Sequence, residues 1–190
     1  MQDKRLILAS GSPRRSELLS LMGIDFSVCP VDVDEHMTGE PDKVVSALAE
    51  KKAEAAARLN PGKTVVGADT LVYCDGETMG KPKDEADAFR MLKKLSGNTN
   101  TVYTGVCVIE GGTGRRQVRC DSAEVHFCVI SDDSAIRDIA SGEPMDKAGA
   151  YGAQGMGGMF VKSITGSPSN VIGLPMHLVR EMLMEIGWKL

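Results

Sequence analysis

Apolar and polar positions along this chain fall into blocks that predict strands and helices in turn. Residues 5–9, "RLILA", form a short apolar run typical of a buried strand. Ser12 then suits a helix N-cap and Pro13 the first helical position. An apolar stripe over residues 18–22 leads to Gly23, which is expected to end the helix in a left-handed conformation. The start of the chain therefore predicts a strand followed at once by a helix.

The next blocks repeat this order. A second strand is expected near 25–29, and the alanine-rich residues 40–62 predict a long helix bounded by prolines. Residues 64–74, "TVVGADTLVYC", are the strongest strand signal in the chain, and Gly67 is expected to interrupt this strand.

The second half of the chain adds more of both types. We expect a helix over 83–97, two long strands at about 100–110 and 116–130 around the hairpin turn "EGGTGR", a short helix near 132–140, the glycine-rich segment "AGAYGAQGMGGMF", and a last helix over 175–186. Alternating helices and strands with one antiparallel hairpin predict an α/β fold with a mixed sheet.

Length and charge narrow the classes of protein. A chain of 190 residues fits one domain, or two small lobes with a common core. The formal net charge of −4 argues against a nucleic-acid-binding protein with a broad basic face. Only four apolar residues follow Asp3, Lys4 and Arg5, and no apolar run approaches the length of a membrane span. We therefore expect no signal peptide, membrane or nucleic-acid partner.

The five cysteines are odd in number and widely spaced (Cys29, Cys74, Cys107, Cys120 and Cys128). This pattern favours reduced thiols, mostly buried in strands, over a disulfide framework. It indicates a cytoplasmic protein.

Two adjacent arginines stand where the first strand is expected to turn into a helix. Free backbone N–H groups and the positive end of the helix dipole favour an anion at such a turn. Arg14 and Arg15 add guanidinium groups suited to phosphate oxygens, although both could also be solvated first-turn side chains. Cations in the first turn oppose the helix dipole, which slightly disfavours that alternative.

Asp69 and Thr70 follow an apolar strand segment and a glycine, so Asp69 is expected inside or at the mouth of the sheet. Buried aspartates are rare unless they are paired or functional. The alternative is an aspartate that ends a strand and caps a loop.

Further charged candidates are Glu35, Lys52 and Lys81. Carboxylates and lysines without a His/Cys cluster suit Mg²⁺ or Mn²⁺ on a phosphate substrate. The three histidines have no zinc-like spacing and no recognisable Ser-His-Asp context, so zinc and triad chemistry are set aside.

Five blocks resemble the Maf family of nucleoside triphosphate pyrophosphatases. They are "LASGSPRRSELL", "GADT", "GKPKDEADAFRMLKKLSG", "YTGV" and "EPMDKAGAYGAQG", and they occur in the family's order over roughly residues 6–175. The resemblance implies a single Maf-like domain over 1–190 with an inosine-triphosphatase-like fold, in which two lobes surround a deep cleft. It also implies a homodimer and a divalent metal cofactor, Mg²⁺ or Mn²⁺.

The same resemblance implies a reaction and residue roles. Family members cleave a nucleoside triphosphate between the α and β phosphates, and Asp69 matches the proposed general base. Arg14 and Arg15 match a phosphate-binding pair, with Ser10 and Ser12 shaping the loop. Glu35 is the expected metal contact, with Asp69 as a further metal-ligand candidate. Lys52 and Lys81 are the expected triphosphate contacts.

Three positions separate branches of the family, and this chain has Arg14, Thr70 and Gln154 there. These residues resemble the branch that acts on dTTP and UTP, whereas a branch that acts on 7-methyl-GTP has tryptophan, glutamine and glutamate. The amide of Gln154 can pair with the O4 and N3–H of uracil or thymine, because it offers both an acceptor and a donor. A nucleotide-sensing regulator of cell division and a 7-methyl-GTP pyrophosphatase remain the alternatives.

Overall fold

The computed structural model describes residues 6–190, so Arg5 of the expected first strand lies outside the described residues. The strands are β1 (Leu6–Ala9), β2 (Phe26–Val28), β3 (Val65–Cys74), β4 (Glu77–Met79), β5 (Thr99–Ile109), β6 (Arg116–Phe127) and β7 (Val161–Thr165). The α-helices are α1 (Pro13–Leu21), α2 (Pro41–Leu59), α3 (Glu85–Leu95), α4 (Asp132–Ala140), α5 (Pro168–Ile172) and α6 (Met176–Glu185). Three 3₁₀ segments cover Glu143–Asp146, Ala148–Ala150 and Met156–Phe160.

The strands form one mixed sheet, as the sequence predicts. Their order is β2-β1-β3-β5-β6-β7, with β4 paired to β3. Strand β1 runs parallel to both β2 and β3, whereas β3–β4 and β6–β7 are antiparallel pairs. No helix within the described residues is long and apolar enough to span a membrane.

The described residues divide into two compact units. The first unit contains residues 6–69, 104–121 and 173–190, and the second contains 70–103 and 122–172. Strands β3, β5 and β6 contribute residues to both units. In the first unit, α2 packs on β1 and β3 through small side chains, among them Ala49, Ala53 and Ala56. The second unit has its own core around α3, including Met91, Leu92 and Leu95.

Gly67 does not interrupt β3, so that expectation is wrong. The strand is continuous, and a β-carbon at Gly67 would lie 2.5 Å from the Ala49 carbonyl oxygen and 2.8 Å from the Ala53 nitrogen. The glycine therefore lets the backbone of α2 approach the sheet, since any side chain would collide with it.

The sequence patterns did not predict two short strands, β4 and β7, or the short helix α5. Strand β4 follows a tight turn in which Asp75 and Gly76 both have positive φ, 46° and 79°. Strand β7 and α5 follow the glycine-rich segment, where no periodicity predicts them. Of the cysteines, all five are free, Cys74 and Cys107 are buried, and Cys128 is exposed.

Candidate active site

The loop between β1 and α1 folds around the side chain of Ser10, which is only 7% exposed. Its Oγ accepts the Ser12 backbone N–H and an N–H from Arg15 Nη1, both at 3.2 Å. Arg15 Nε donates to the Gly173 carbonyl at 2.8 Å. The guanidinium is therefore held from two sides at the end of β1, and Arg15 is not a freely solvated first-turn residue.

Ser12 occupies the N-cap position of α1, but its side chain makes no capping hydrogen bond within the described part of the chain. Its backbone carbonyl instead accepts the Ser16 N–H at 3.3 Å. Half-buried Arg14 follows Pro13 in the first turn. The capping prediction is right about the position and wrong about the bond.

Asp69 lies inside β3 rather than at its end, so the loop-capping alternative is wrong. The parallel register pairs Ala9 with Gly67, and Asp69 follows two residues later, beyond the last residue of β1. Because side chains alternate along a strand, Asp69 points to the same face as Gly67, toward α2. The strand thus presents a carboxylate that is 9% exposed next to the helix that packs on it.

Lys52 on α2 meets this carboxylate. Its Nζ lies 2.6 Å from Asp69 Oδ1 and 2.7 Å from Glu35 Oε1. The side chains of Lys52 and Asp69 are 11% and 12% exposed, whereas Glu35, from the irregular segment before α2, is 55% exposed. One ammonium group therefore bridges a buried and an exposed carboxylate.

The buried position shifts the acidity of two groups. Burial raises the pKa of Asp69, and the positive charges of Lys52 and Arg15 oppose that rise. Burial lowers the pKa of Arg15, and the nearby Asp69 carboxylate opposes that fall. A carboxylate that is harder to ionise than usual, beside a guanidinium and an ammonium, can accept a proton while an anion is held nearby.

Within residues 6–190, no group of three or more His, Cys, Asp or Glu side chains is arranged to hold a metal. Asp69 and Glu35 nevertheless approach the same ammonium group, so their bonded oxygens are no farther apart than the sum of two hydrogen bonds. Mg²⁺ is commonly bound through one or two carboxylates and the phosphates of its substrate. The donor set fits an ion of that kind that arrives with a phosphate ligand.

The remaining predicted residues belong to the second unit. Thr70 is half-buried on β3, directly after Asp69. Lys81 is exposed in the loop after β4, and Gln154 is exposed in the glycine-rich segment. The described contacts join Ser10 with Ser12 and Arg15, and Lys52 with Glu35 and Asp69, all within the first unit.

The sequence that forms these elements matches that of a known protein family. Residues 5–186 match the sequence model of the Maf-like protein family. The chain belongs to the Maf family. The resemblance that the sequence blocks suggested is thus confirmed over nearly the whole chain.

Named Maf-family relatives are similar over their full length. A dTTP/UTP pyrophosphatase of Citrifermentans bemidjiense is 48% identical over 189 residues, which cover 98% of each chain. A dTTP/UTP pyrophosphatase of Caldicellulosiruptor bescii is 43% identical over 193 residues, covering 98% of this chain and 97% of the relative.

A solved structure supports the predicted fold. The HAM1 protein from Coxiella burnetii matches with a TM-score of 0.58 and 15% identity, covering 95% of this chain and 98% of that one. At this identity the likeness shows the fold alone, and it confirms the inosine-triphosphatase-like expectation.

The sequence did not predict the contacts of Glu143 and Lys147, which lie against the glycine-rich segment of this Maf protein. A usable signal existed for Lys52, because it falls on the buried stripe of α2 with Val45, Leu48 and Ala56. A lysine on a buried stripe predicts a paired or functional cation. Glu143 lies in the family block "EPMDKAGAYGAQG", but that block does not indicate its contacts, which depend on how a loop folds.

Proposed function

We propose that this Maf protein is a nucleoside triphosphate pyrophosphatase that hydrolyses dTTP and UTP to the monophosphate and pyrophosphate. The observation that carries this proposal is the buried Asp69–Lys52 pair beside Arg15 in the first unit. The names of the two relatives, both dTTP/UTP pyrophosphatases, supply the substrate class. Modified pyrimidine nucleotides are proposed as further substrates, in a house-cleaning role.

Asp69 acts as the general base in this proposal. It takes a proton from a water molecule that attacks the α-phosphorus, while the bond to the bridging oxygen breaks and pyrophosphate leaves. A raised pKa supports this role, because an ordinary aspartate is too weak a base to accept a proton readily near neutral pH. The hydrogen bond from Lys52 also orients the carboxylate, and orientation contributes to the rate independently of basicity.

The cations hold the triphosphate. Arg15 is fixed by Ser10 and Gly173, so its charge is positioned before the substrate arrives. Arg14 and Lys81 are proposed as further phosphate contacts, and Ser10 and Ser12 shape the loop. Lys52 stabilises negative charge on the phosphates once substrate competes for its ammonium.

Glu35 is proposed to hold a divalent metal, Mg²⁺ or Mn²⁺, together with the phosphates, and a metal-ligand role for Asp69 is the alternative to its base role. Such an ion supplies positive charge to the phosphate oxygens and lowers the pKa of water. The side chain of Glu35 is more than half exposed, which supports a ligand that can leave Lys52 when substrate binds.

Base selection is assigned to Arg14, Thr70 and Gln154. The amide of Gln154 donates to O4 and accepts from N3–H of uracil or thymine. Its exposed position supports this role, because the amide is accessible to a ligand.

The test is to incubate the pure protein with each common nucleoside triphosphate and 7-methyl-GTP, with Mg²⁺ or Mn²⁺, and to identify products by chromatography. We expect selective release of dTMP, UMP and pyrophosphate. Turnover of 7-methyl-GTP instead would contradict the base assignment and leave the mechanism intact. Tight nucleotide binding without turnover would favour a nucleotide-sensing regulator of cell division.

We also propose that the two units form one Maf-like domain over 1–190, because three strands contribute to both. One cooperative unfolding transition is expected by calorimetry, and two separate transitions would contradict it. The proposed assembly is a homodimer, tested by light scattering after size exclusion. A cytoplasmic location, supported by five free cysteines, is testable by cell fractionation.

A further inference from the structure

The glycine-rich segment of the second unit contains a tight turn with Gln154 at its third position. The Gly155 backbone N–H donates to the Gly152 carbonyl oxygen at 3.3 Å, which closes a four-residue turn over Gly152, Ala153, Gln154 and Gly155. Gln154 is exposed, whereas Gly152 is buried. The direction in which the Gln154 amide points therefore depends on how the two glycines are held.

Glu143 holds the end of this turn. Its Oε2 accepts the backbone N–H of Met156, the residue after the turn, at 2.8 Å. A β-carbon placed on Gly155 would lie 1.9 Å from Glu143 Oε1 and 2.4 Å from Oε2. The carboxylate thus lies directly against the Gly155 backbone, at a distance that only glycine allows.

Lys147 holds the start of the turn. A β-carbon on Gly152 would lie 2.6 Å from Lys147 Cε and 3.0 Å from Glu143 Oε1. Lys147 Nζ is itself fixed, since it donates to the Glu143 carbonyl oxygen at 2.5 Å and pairs with Asp146 Oδ1 at 2.7 Å. We call Glu143 and Lys147 the turn clasp, because together they contact both ends of the turn.

The turn clasp is anchored to the helices of its own unit. Its 3₁₀ segment, Glu143–Asp146, packs against α3 and α4. The Glu143 N–H donates to Ser141 Oγ at 3.2 Å, and that hydroxyl donates to the Asp138 carbonyl oxygen at 2.5 Å. Gly142, with a φ of 76°, provides the left-handed step from α4 into the clasp. Through the turn clasp, the turn is therefore held in place by helices α3 and α4.

One oxygen of the Glu143 carboxylate is in an unfavourable environment, which indicates that this side chain serves to fix the shape of the turn. Within residues 6–190, the buried Glu143 Oε1 has no hydrogen-bond partner, which is unfavourable by comparison with a fully satisfied polar group. A backbone hydrogen bond alone would close a turn without that loss. The carboxylate instead fixes the conformation on both sides of Gln154.

We propose that Glu143 and Lys147 are specificity-positioning residues, which hold the Gln154 turn in the shape that reads the O4 and N3–H edge of a pyrimidine. This inference rests on the proposed function, since it assigns Gln154 to the base. The clasp acts through Gln154 and touches neither the phosphates nor the reacting water.

The test is a double-mutant cycle with Glu143→Ala, Gln154→Ala and the double variant. The measured quantity is the ratio of kcat/KM for UTP to that for CTP, whose edge has the donor and acceptor reversed. We expect each single variant to reduce this ratio by about tenfold or more, because a base-pairing amide is lost or misdirected. In the Gln154→Ala background, Glu143→Ala should change the ratio by less than about twofold.

Independent, multiplicative effects of the two substitutions would overturn the proposal, as would an unchanged ratio in folded Glu143→Ala. If Glu143→Ala does not fold, Glu143→Gln decides, because its amide oxygen can still accept the Met156 N–H. It should keep the UTP preference to within about threefold, and a collapse of the preference in the folded variant would contradict positioning. Asp133→Ala, which removes an exposed carboxylate from α4 of the same unit, is the matched control and should leave the ratio unchanged.

The two proposals can fail separately. If the wild-type protein releases no pyrophosphate, the proposed function fails, and the same cycle is run on the Kd values of UTP and CTP by calorimetry. Non-additive effects on the Kd ratio would then support the clasp, and additive effects would overturn it.

Discussion

The first and second units of this Maf protein each place a lysine and a carboxylate at a critical point, but they use them differently. In the first unit, Lys52 bonds directly to Asp69 at 2.6 Å, across a helix and a strand that pack closely. In the second, the Glu143 carboxylate bonds to the Met156 N–H, and Lys147 bonds to the Glu143 carbonyl. The first pair concentrates charge where a reaction is proposed, whereas the second pair shapes a backbone turn.

This difference predicts which substitutions affect rate, stability or selectivity. Removing a charge from the first pair leaves a buried opposite charge without its closest partner. Removing one from the second pair changes the path of a loop that can relax. The following predictions test that contrast.

The largest effect is expected from Asp69→Asn. The amide cannot accept a proton from water, so kcat for dTTP should fall by about 10²- to 10⁴-fold while nucleotide affinity changes little. In the wild type, kcat/KM should rise with pH through one ionisation above the ordinary aspartate value, since burial raises the pKa of Asp69. Retention of most activity by Asp69→Asn would exclude the base role.

Lys52→Met should destabilise the protein next most strongly. It leaves the buried Asp69 carboxylate without its ammonium partner, and we expect a loss of about 3 kcal/mol in the free energy of unfolding at pH 8. The loss should shrink as pH falls, because burial raises the pKa of Asp69 and a protonated carboxyl group needs no ammonium partner. Urea unfolding measures the loss at each pH. The adjacent exposed lysine provides the control Lys51→Met, with an expected change below about 0.5 kcal/mol.

Two glycine substitutions separate the rigid region from the adaptable one. Gly67→Ala places a methyl group 2.5 Å from the Ala49 carbonyl oxygen, so a packed backbone must move, with a loss of about 2–3 kcal/mol. Gly155→Ala meets the end of the Glu143 side chain, which can turn away, so the loss should stay below about 1 kcal/mol. Its UTP preference over CTP should nevertheless fall. Equal destabilisation in urea would contradict the contrast.

The last effect, at Asp138, depends on pH. This α4 residue is 1% exposed, and burial raises its pKa to about 6, assisted by Glu143 and opposed by Lys147. Between its unfolded value near 4 and about 6, the unfolded state releases the proton first, so the protein loses stability as pH rises.

The side chain introduced by Asp138→Asn cannot ionise, so this variant lacks the loss of stability that ionisation of Asp138 causes as pH rises. Its stability relative to wild type should therefore improve by about 2 kcal/mol from pH 4 to pH 7.5, as measured by urea unfolding. A constant difference across this range would show that the carboxylate does not titrate as described.

Local signals made much of the fold predictable. Pro13 and Gly23 bound the first helix in sequence, and the structure places α1 between them. Strands β4 and β7 were not predictable, because each is short and depends on pairing with a neighbour. Gly67 was misread for a related reason: its close contact is with α2, which the local sequence does not contain.

The candidate site was predictable only in part. Family motifs named Asp69 and Lys52, but the ion pair between them required the register of β1 with β3 and the packing of α2. The role of Glu143 was not predictable, since its contact with Met156 spans a loop whose path no periodicity specifies. The sequence indicates which residues are candidates for the site, but it does not indicate which residues they contact.

The boundary between the two units falls within β3, on the peptide bond between Asp69 and Thr70. Asp69, the proposed base, and Thr70, a proposed selectivity residue, are thus adjacent in sequence but belong to different units. Random substitutions of Thr70 and in the Gln154 turn can therefore be screened for new nucleotide preferences without altering the proposed base. A directed-evolution library for other nucleotides should therefore vary Thr70 and the Gln154 turn and keep Asp69, Lys52 and Lys81 fixed.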